Sequence, residues 1–272
     1  MIDQIRGAYF VKDRTLLNST EFTYTLEAKN VYEVIRIMEG KPLFLREHLD
    51  RMKSSLGLQS MPLSKSQEEI RNLIEILVKK NEFKEGNIKL LLNGINPTVL
   101  YLYFIPHYYP EAKLYQQGIV TKTLKIERNN PNAKVIDPAY KKAVVEFIEN
   151  EEIYEALIVN QKSEITEGSK SNAFFVKDGS LITPPLKDVL GGVTRHKIIE
   201  LAKKHSINVL EAPLRVEDIP SLEAAFISGT SPSILPIRKI NDTDLASSTN
   251  PVIIKLIEVF KGTVKEEINH NL

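Results

Sequence analysis

The chain has 272 residues, with 36 Lys and Arg against 35 Asp and Glu, so its formal net charge at pH 7 is +1. This balance argues against nucleic acid as the main partner. The complete absence of Cys excludes disulfides, a thiol nucleophile and every cysteine-based metal site. No apolar run reaches the roughly 18 residues that a membrane span needs, and residues 1–14 lack the apolar core of a signal peptide. The composition therefore predicts a cytoplasmic protein with no membrane partner.

The N-terminal part of the chain predicts an α+β section with an antiparallel sheet. Ser66 and Glu69 form a capping box, and it opens a helix whose apolar residues recur at helical spacing. Residues 48–58 show similar spacing and predict a second helix. Alternating or β-branched runs predict strands at 24–26, 31–38, 42–45, 87–92 and 98–105.

A polar, proline-containing stretch then predicts a linker over 109–116, which separates a domain at 1–108 from one at 117–272. In the second domain, helices are predicted at about 138–150, 195–205 and 252–264. Strands are predicted at 119–126, 156–159, 173–176, 180–183, 207–212, 224–228 and 234–240.

Several common kinds of site do not fit this sequence. None of the five His lies in a metal-binding spacing such as HExxH, so we predict no metal site. The GxSxG, GxxxxGK[ST] and GxGxxG patterns are also missing. A metal hydrolase, a P-loop enzyme and a Rossmann dehydrogenase are therefore disfavoured.

What remains is a set of short turns rich in Gly, Ser and Thr. The turn at 191–195 precedes a helix, where free N–H groups and the helix dipole favour an anion such as phosphate. The turn at 228–232 follows a strand and offers the hydroxyls of Thr230 and Ser231, and the segment 166–172 places Glu167 among hydroxyl residues. Each of these also fits an ordinary turn, and Lys134 alone also fits a surface lysine.

Taken together and in this order, these features resemble one family, the fold-type IV pyridoxal-phosphate (PLP) enzymes of aminotransferase class IV. That group includes branched-chain aminotransferases, D-amino acid aminotransferases and aminodeoxychorismate lyases. The resemblance covers nearly the whole chain, and its most specific parts are the TEGSxSN and GxTR motifs. The matching segments are Val31–Arg36 with Gly40, His48–Met52 with Ser54 and Ser55, Tyr154–Ala156, Glu164–Asn172, Gly191–Arg195 and Gly229 with Thr230.

The resemblance implies a two-domain fold, with a smaller N-terminal α+β domain on an antiparallel sheet and a larger C-terminal pseudo-barrel domain. It also implies PLP bound between the domains, and a homodimer.

The family pattern further implies roles for individual residues. Lys134 would be the catalytic lysine, which forms the Schiff base with PLP. Glu167 would bond the pyridine nitrogen, and Arg51 would bind the phosphate. The complete cofactor set is Arg51, Lys134, Glu167, Ser171, Asn172, Val193, Thr194, Gly229 and Thr230. The substrate set is Tyr32, Arg36 and Ser231.

The activity implied first is branched-chain-like: transfer of an amino group from an amino acid to a 2-oxo acid. The alternatives are an aminodeoxychorismate lyase that releases pyruvate and 4-aminobenzoate, and a degenerate relative that binds PLP without turnover. The loop at 93–97 offers only Asn93, Asn96 and backbone groups, whereas D-amino acid aminotransferases and the lyases carry arginine there. We therefore expect monocarboxylic, apolar amino acids as substrates and no strong activity on D-amino acids.

Overall fold

The computed structural model describes residues 3–63 and 65–270. These residues form two compact units. The N-terminal unit takes the described residues up to Tyr108, Ala133–Ile136 and the described residues from Val264 onward; the C-terminal unit takes Tyr109–Asn132 and Asp137–Thr263.

The N-terminal unit is built on a six-stranded sheet in which every pair of neighbouring strands is antiparallel. Two helices, α1 (Leu45–Gln59) and α2 (Gln67–Asn81), pack on it. The Ser66 hydroxyl accepts the Glu69 N–H at 3.1 Å, which caps α2 where the sequence predicts its start. The strands are β1 (Arg6–Lys12), β2 (Thr15–Asn18), β3 (Asn30–Met38), β4 (Lys41–Pro42), β5 (Gly86–Asn93) and β6 (Val99–Ile105).

The alternation of β3 decides which side chains face the helices. Val31 and Ile35 are fully buried in the apolar core that the sheet forms with α1 and α2. Glu33 lies between them in sequence and points to the same face. Tyr32 joins the opposite face, where an aromatic cluster contains Tyr24 and Tyr103.

The C-terminal unit holds a mixed sheet of ten strands, against which buried apolar clusters pack. Its helices are α3 (Ala112–Gln117), α4 (Pro138–Asn150) and α5 (Val193–Lys204), and the last helix of the chain is α6 (Pro251–His270). The strands are β7 (Ile119–Lys125), β8 (Glu155–Val159), β9 (Glu164–Gly168), β10 (Asn172–Lys177), β11 (Ser180–Thr183), β12 (Val209–Glu211), β13 (Leu214–Arg215), β14 (Ala224–Gly229), β15 (Ser233–Ile240) and β16 (Thr243–Asp244).

The predicted strand at 24–26 is wrong. Its alternating pattern is real, because Tyr24 is buried, but its ring is covered by Phe22 and Tyr101 in a segment that pairs with no strand. The strands β1, β2, β9, β13 and β16 were not predicted, and neither was helix α3, which overlaps the predicted linker at 109–116. The strand at 42–45 is also wrong beyond Pro42, because helix α1 already begins at Leu45. No helix among residues 3–63 and 65–270 combines the length and the apolar character that crossing a membrane requires.

Candidate active site

A buried cluster of three side chains fixes Arg51 in the N-terminal unit. Glu33 is fully buried and accepts Arg51 Nε at 2.7 Å and Nη2 at 2.6 Å. His48, one turn before Arg51 on α1, contacts the same carboxylate through Nδ1 at 2.9 Å. These contacts hold the arginine that the sequence assigns to phosphate, leaving its side chain 12% exposed.

The electrostatics of this cluster follow from its burial. Burial alone would raise the pKa of Glu33, but Arg51 and His48 outweigh it and lower the pKa from 4.5 to about 2. Burial lowers the pKa of His48. We therefore assign His48 as neutral with its proton on Nδ1, from which it donates to the ionised Glu33.

Lys134 belongs to the short segment Ala133–Ile136 of the same unit. Its backbone is held twice: Tyr32 N–H donates to the Lys134 carbonyl at 3.0 Å, and Lys134 N–H donates to the Ser55 hydroxyl at 3.2 Å. Its ammonium lies 4.7 Å from the centroid of the Tyr32 ring. The structure thus brings together Lys134 and Tyr32, which the sequence assigned to the cofactor and the substrate.

A further cation beside Tyr32 was missed by sequence reasoning. Lys89 is buried and its ammonium lies 4.9 Å from the centroid of the Tyr32 ring. It forms an ion pair with Asp3, which also accepts the Tyr103 hydroxyl at 2.7 Å. Burial would raise the pKa of Asp3, but Lys89 and the hydroxyl bonds lower it. The charge of Lys89 is therefore already balanced within the unit.

The loop at 93–97 uses the side chain of Asn93 within the fold. The amide of Asn93 is used within the protein: its Oδ1 accepts the Glu27 N–H at 3.0 Å, and its Nδ2 donates to the Thr25 carbonyl at 2.8 Å. The Asn93 amide is therefore already engaged by the backbone of residues 25 and 27. Arg36 lies on β3 four residues after Tyr32, so the two side chains share a face.

In the C-terminal unit, Glu167 lies near the end of β9 and is 4% exposed. Arg128 Nη1 donates to its Oε1 at 2.8 Å, and the Leu190 N–H donates to Oε2 at 3.3 Å. The Arg128 guanidinium also lies 5.8 Å from the centroid of the Tyr140 ring. Arg128 and Glu167 help to line a cavity of about 160 Å³. Sequence reasoning named Glu167 but not Arg128.

The turn after Glu167 is tied down by a second buried carboxyl group. Glu155 Oε1 accepts the Lys170 N–H at 2.7 Å and the Ser171 hydroxyl at 2.8 Å. A Cβ on Gly168 would lie 2.5 Å from that oxygen, so a larger residue there would have to displace the carboxyl group. Burial raises the pKa of Glu155. Ser171, assigned to the cofactor from sequence, here organises the turn that follows Glu167.

Asn172 plays a similar part at the start of α5. Its Nδ2 donates to the Leu190 carbonyl at 2.8 Å, and a Cβ on Gly192 would come within 2.0 Å of its Oδ1. Val193 and Thr194 begin α5 directly after Gly192. Their N–H groups belong to the first turn of a helix, which attracts anions.

The third predicted turn connects β14 and β15. Gly229 pairs with Ser233, so Thr230 and Ser231 lie in the three-residue loop between these strands. Gly229, Thr230 and Ser231 are all half-buried. The Ser228 hydroxyl, just before the loop, is buried and has no hydrogen-bond partner among the described residues.

The predicted site residues therefore fall into two sets. The N-terminal unit carries Tyr32, Arg36, Arg51 and Lys134. The C-terminal unit carries Glu167, Ser171, Asn172, Val193, Thr194, Gly229, Thr230 and Ser231.

The fold is that of the fold-type IV enzymes. The solved branched-chain amino acid aminotransferase of Escherichia coli superimposes with a TM-score of 0.85 at 25% identity, covering 96% of each chain. This likeness confirms the predicted fold class.

The sequence comparisons give the family directly. The family model described as "Amino-transferase class IV" matches residues 30–240. A Thermotoga maritima protein named "Probable branched-chain-amino-acid aminotransferase" is 30% identical over 266 residues, which is 95% of this chain and 94% of that protein. The aminodeoxychorismate lyase of Bacillus subtilis is 27% identical over 97% of this chain and 95% of its own. The chain belongs to the class IV aminotransferase family.

Proposed function

We propose that this protein is a PLP-dependent, branched-chain-like aminotransferase that moves an amino group from an amino acid to a 2-oxo acid. The observation that carries the proposal is the buried Glu167 carboxylate, fixed by Arg128 and by the Leu190 N–H. A buried carboxylate oriented by an arginine and a backbone N–H is suited to accept a hydrogen bond from a ring nitrogen that must remain protonated.

The residues of both sets fit PLP chemically. Arg51, held by Glu33, offers a guanidinium fork for a phosphate dianion. The first N–H groups of α5 and the hydroxyl of Thr230 offer further donors. The buried Ser228 hydroxyl, without a partner among the described residues, indicates that a polar group is still to be bound near this loop.

Each residue then has a defined task. Lys134 would hold PLP through Nζ and would take up the proton that leaves the substrate Cα. Glu167 would keep the proton on the pyridine nitrogen, and Arg51 would bind the phosphate. When bound, PLP supplies an electron-accepting ring that stabilises negative charge at Cα. Ser171 and Asn172 position the loops that carry Glu167 and the start of α5.

The charges around Tyr32 support monocarboxylic, apolar amino acids as substrates. The Asn93 amide is occupied, and Lys89 is paired with Asp3. The α-carboxylate is then held by Tyr32, Arg36 or the Gly229–Ser231 turn. A second carboxylate would find no unbalanced buried cation at Lys89, and burying it would be costly.

The test is a panel of half-reactions on the PLP-loaded protein, followed by the change in cofactor absorbance. The panel holds L- and D-leucine, L- and D-valine, L- and D-alanine, and aminodeoxychorismate. We expect fast conversion with L-leucine and L-valine, and slow conversion with the D-enantiomers. Fast conversion with D-alanine but not with L-leucine would overturn the branched-chain assignment.

The second candidate is the lyase. The B. subtilis aminodeoxychorismate lyase matches nearly the full length of this chain, which favours this alternative over a more distant activity. Rapid pyruvate release from aminodeoxychorismate, together with slow L-leucine conversion, would establish it. A protein that binds PLP but converts none of these compounds would instead be the degenerate relative.

We also propose that the enzyme is a homodimer and works in the cytoplasm, as the family resemblance and the composition predict. Sedimentation velocity of the PLP-loaded protein should give a single species at twice the 30.9 kDa chain mass. A monomer that remains active would contradict the proposed dimer.

A further inference from the structure

The loop between β14 and β15 carries two of the residues assigned to cofactor and substrate, Thr230 and Ser231. It is as short as three residues, and Ser233, which closes it, has a φ of 55° in the left-handed region. Pro232, its third residue, has no N–H to donate. The backbone of Pro232 can therefore be restrained only through its carbonyl, which can accept a hydrogen bond from the rest of the C-terminal unit.

Tyr115 donates this hydrogen bond. Its hydroxyl donates to the Pro232 carbonyl at 2.9 Å, across 117 positions of sequence. Its ring is half-buried and packs against the apolar core of the C-terminal unit. The hydroxyl thus reaches the loop from a side chain whose body is fixed by packing.

The backbone that carries Tyr115 is also fixed. Helix α3 ends at Gln117, and Gly118 follows with a φ of 76°. A Cβ on Gly118 would lie 2.8 Å from the Arg238 nitrogen of β15, so only glycine allows this close approach. Tyr115 therefore bonds the loop residue just before β15, while Gly118, which follows its helix, lies against Arg238 within β15.

We propose that Tyr115 is a positioning residue for the substrate carboxylate. By holding the Pro232 carbonyl, it keeps the backbone of Thr230 and Ser231 in one conformation before the amino acid binds. Donors ordered in advance bind more tightly, because their entropy is not lost at binding. The proposal rests on the proposed function, since it assumes that the loop receives the amino acid.

The test compares Tyr115→Phe with the matched control Thr121→Val. Thr121 is fully buried, and its hydroxyl donates to the Lys239 carbonyl at 3.2 Å, near the end of β15 that lies away from the loop. Each variant loses one hydroxyl-to-carbonyl bond, to the loop in Tyr115→Phe and to β15 in Thr121→Val. We expect Tyr115→Phe alone to raise KM for the amino acid by about three- to tenfold, with kcat changed by less than about twofold.

A second readout needs neither cofactor nor turnover. Hydrogen exchange of the peptide that spans 229–235 should quicken about three- to tenfold in Tyr115→Phe and stay unchanged in Thr121→Val. Unchanged exchange in Tyr115→Phe, or an equal rise in KM in both variants, would overturn the proposal. A wild-type protein inactive on every substrate refutes the proposed function, and the exchange comparison still decides whether Tyr115 orders the loop.

Discussion

Each unit of the molecule holds an arginine against a buried carboxylate, yet the two pairs differ in their further hydrogen-bond partners. In the N-terminal unit, Glu33 is fully buried and binds Arg51 through two nitrogens, with His48 as a third partner. In the C-terminal unit, Glu167 accepts a hydrogen bond from Arg128 on one carboxylate oxygen and the Leu190 N–H on the other.

The difference follows from which member of each pair meets the ligand in the proposed function. Arg51 must present its guanidinium to a phosphate, so a carboxylate and a histidine brace it from inside the core. Glu167 must present its carboxylate to a ring nitrogen, so Arg128 braces it in turn. The same charge pair thus fixes a cation in one unit and an anion in the other.

The largest expected effect is on stability at Glu33. Replacing it in Glu33→Gln leaves the mostly buried Arg51 without its carboxylate, which should reduce the free energy of unfolding by about 3–5 kcal/mol. The matched control is Glu217→Gln, whose partner Arg215 lies in an exposed ion pair. That change should stay within about 0.5 kcal/mol. Urea denaturation measures both, and equal losses would show that Glu33 does not brace Arg51.

The corresponding substitution at Glu167 should lower the rate of turnover. Glu167→Gln should retain PLP but lose about 2–4 kcal/mol of transition-state stabilisation, or roughly 30–1000-fold in turnover. Glu164→Gln, on the same strand β9 with its side chain bonded to Asn160, is the control and should remain near wild type. A Glu167→Gln enzyme with normal turnover would mean that this carboxylate serves the fold alone.

The sequence revealed one member of each pair and not the other. Arg51 and Glu167 lie in motifs of contiguous residues, so the sequence alone suffices to name them. Glu33 did carry a signal: it occupies an inward position of β3 between Val31 and Ile35, where a charge requires a partner. Arg128 carried none, because its contact with Glu167 depends on a loop conformation that spans 39 positions.

The secondary-structure predictions show the same difference. Elements with a local sequence signal were predictable, whereas features that depend on tertiary contacts were not. Helix α2 and strands β5 and β6 were predictable, since a cap or a long apolar run defines them. Residues 24–26 were misread because burial in a loop gives the same alternation as burial in a strand. The use of Asn93 within the fold was likewise invisible, since it depends on the backbone of residues 25 and 27.

The last effect is the pH dependence of the stability that Glu33 contributes. The pKa of Glu33 lies at about 2 in the folded protein against an ordinary 4.5. Its ionised form therefore stabilises the fold fully above pH 4.5, and this contribution of about 3 kcal/mol is lost as the pH falls toward 2.

Unfolding free energies of the wild type and Glu33→Gln, measured between pH 6 and pH 2, should therefore converge as the solution becomes more acidic. A constant difference over that range would show that Glu33 is not held ionised by Arg51 and His48.

The proposed function depends first on Lys134 as the lysine that holds PLP. The direct test is to reduce the PLP-loaded protein with borohydride, digest it and locate the pyridoxyl group by peptide mass mapping. We expect a single label on Lys134, beside Tyr32. A label on Lys141 or Lys142 of helix α4, or no label on a protein that takes up no PLP, would contradict it.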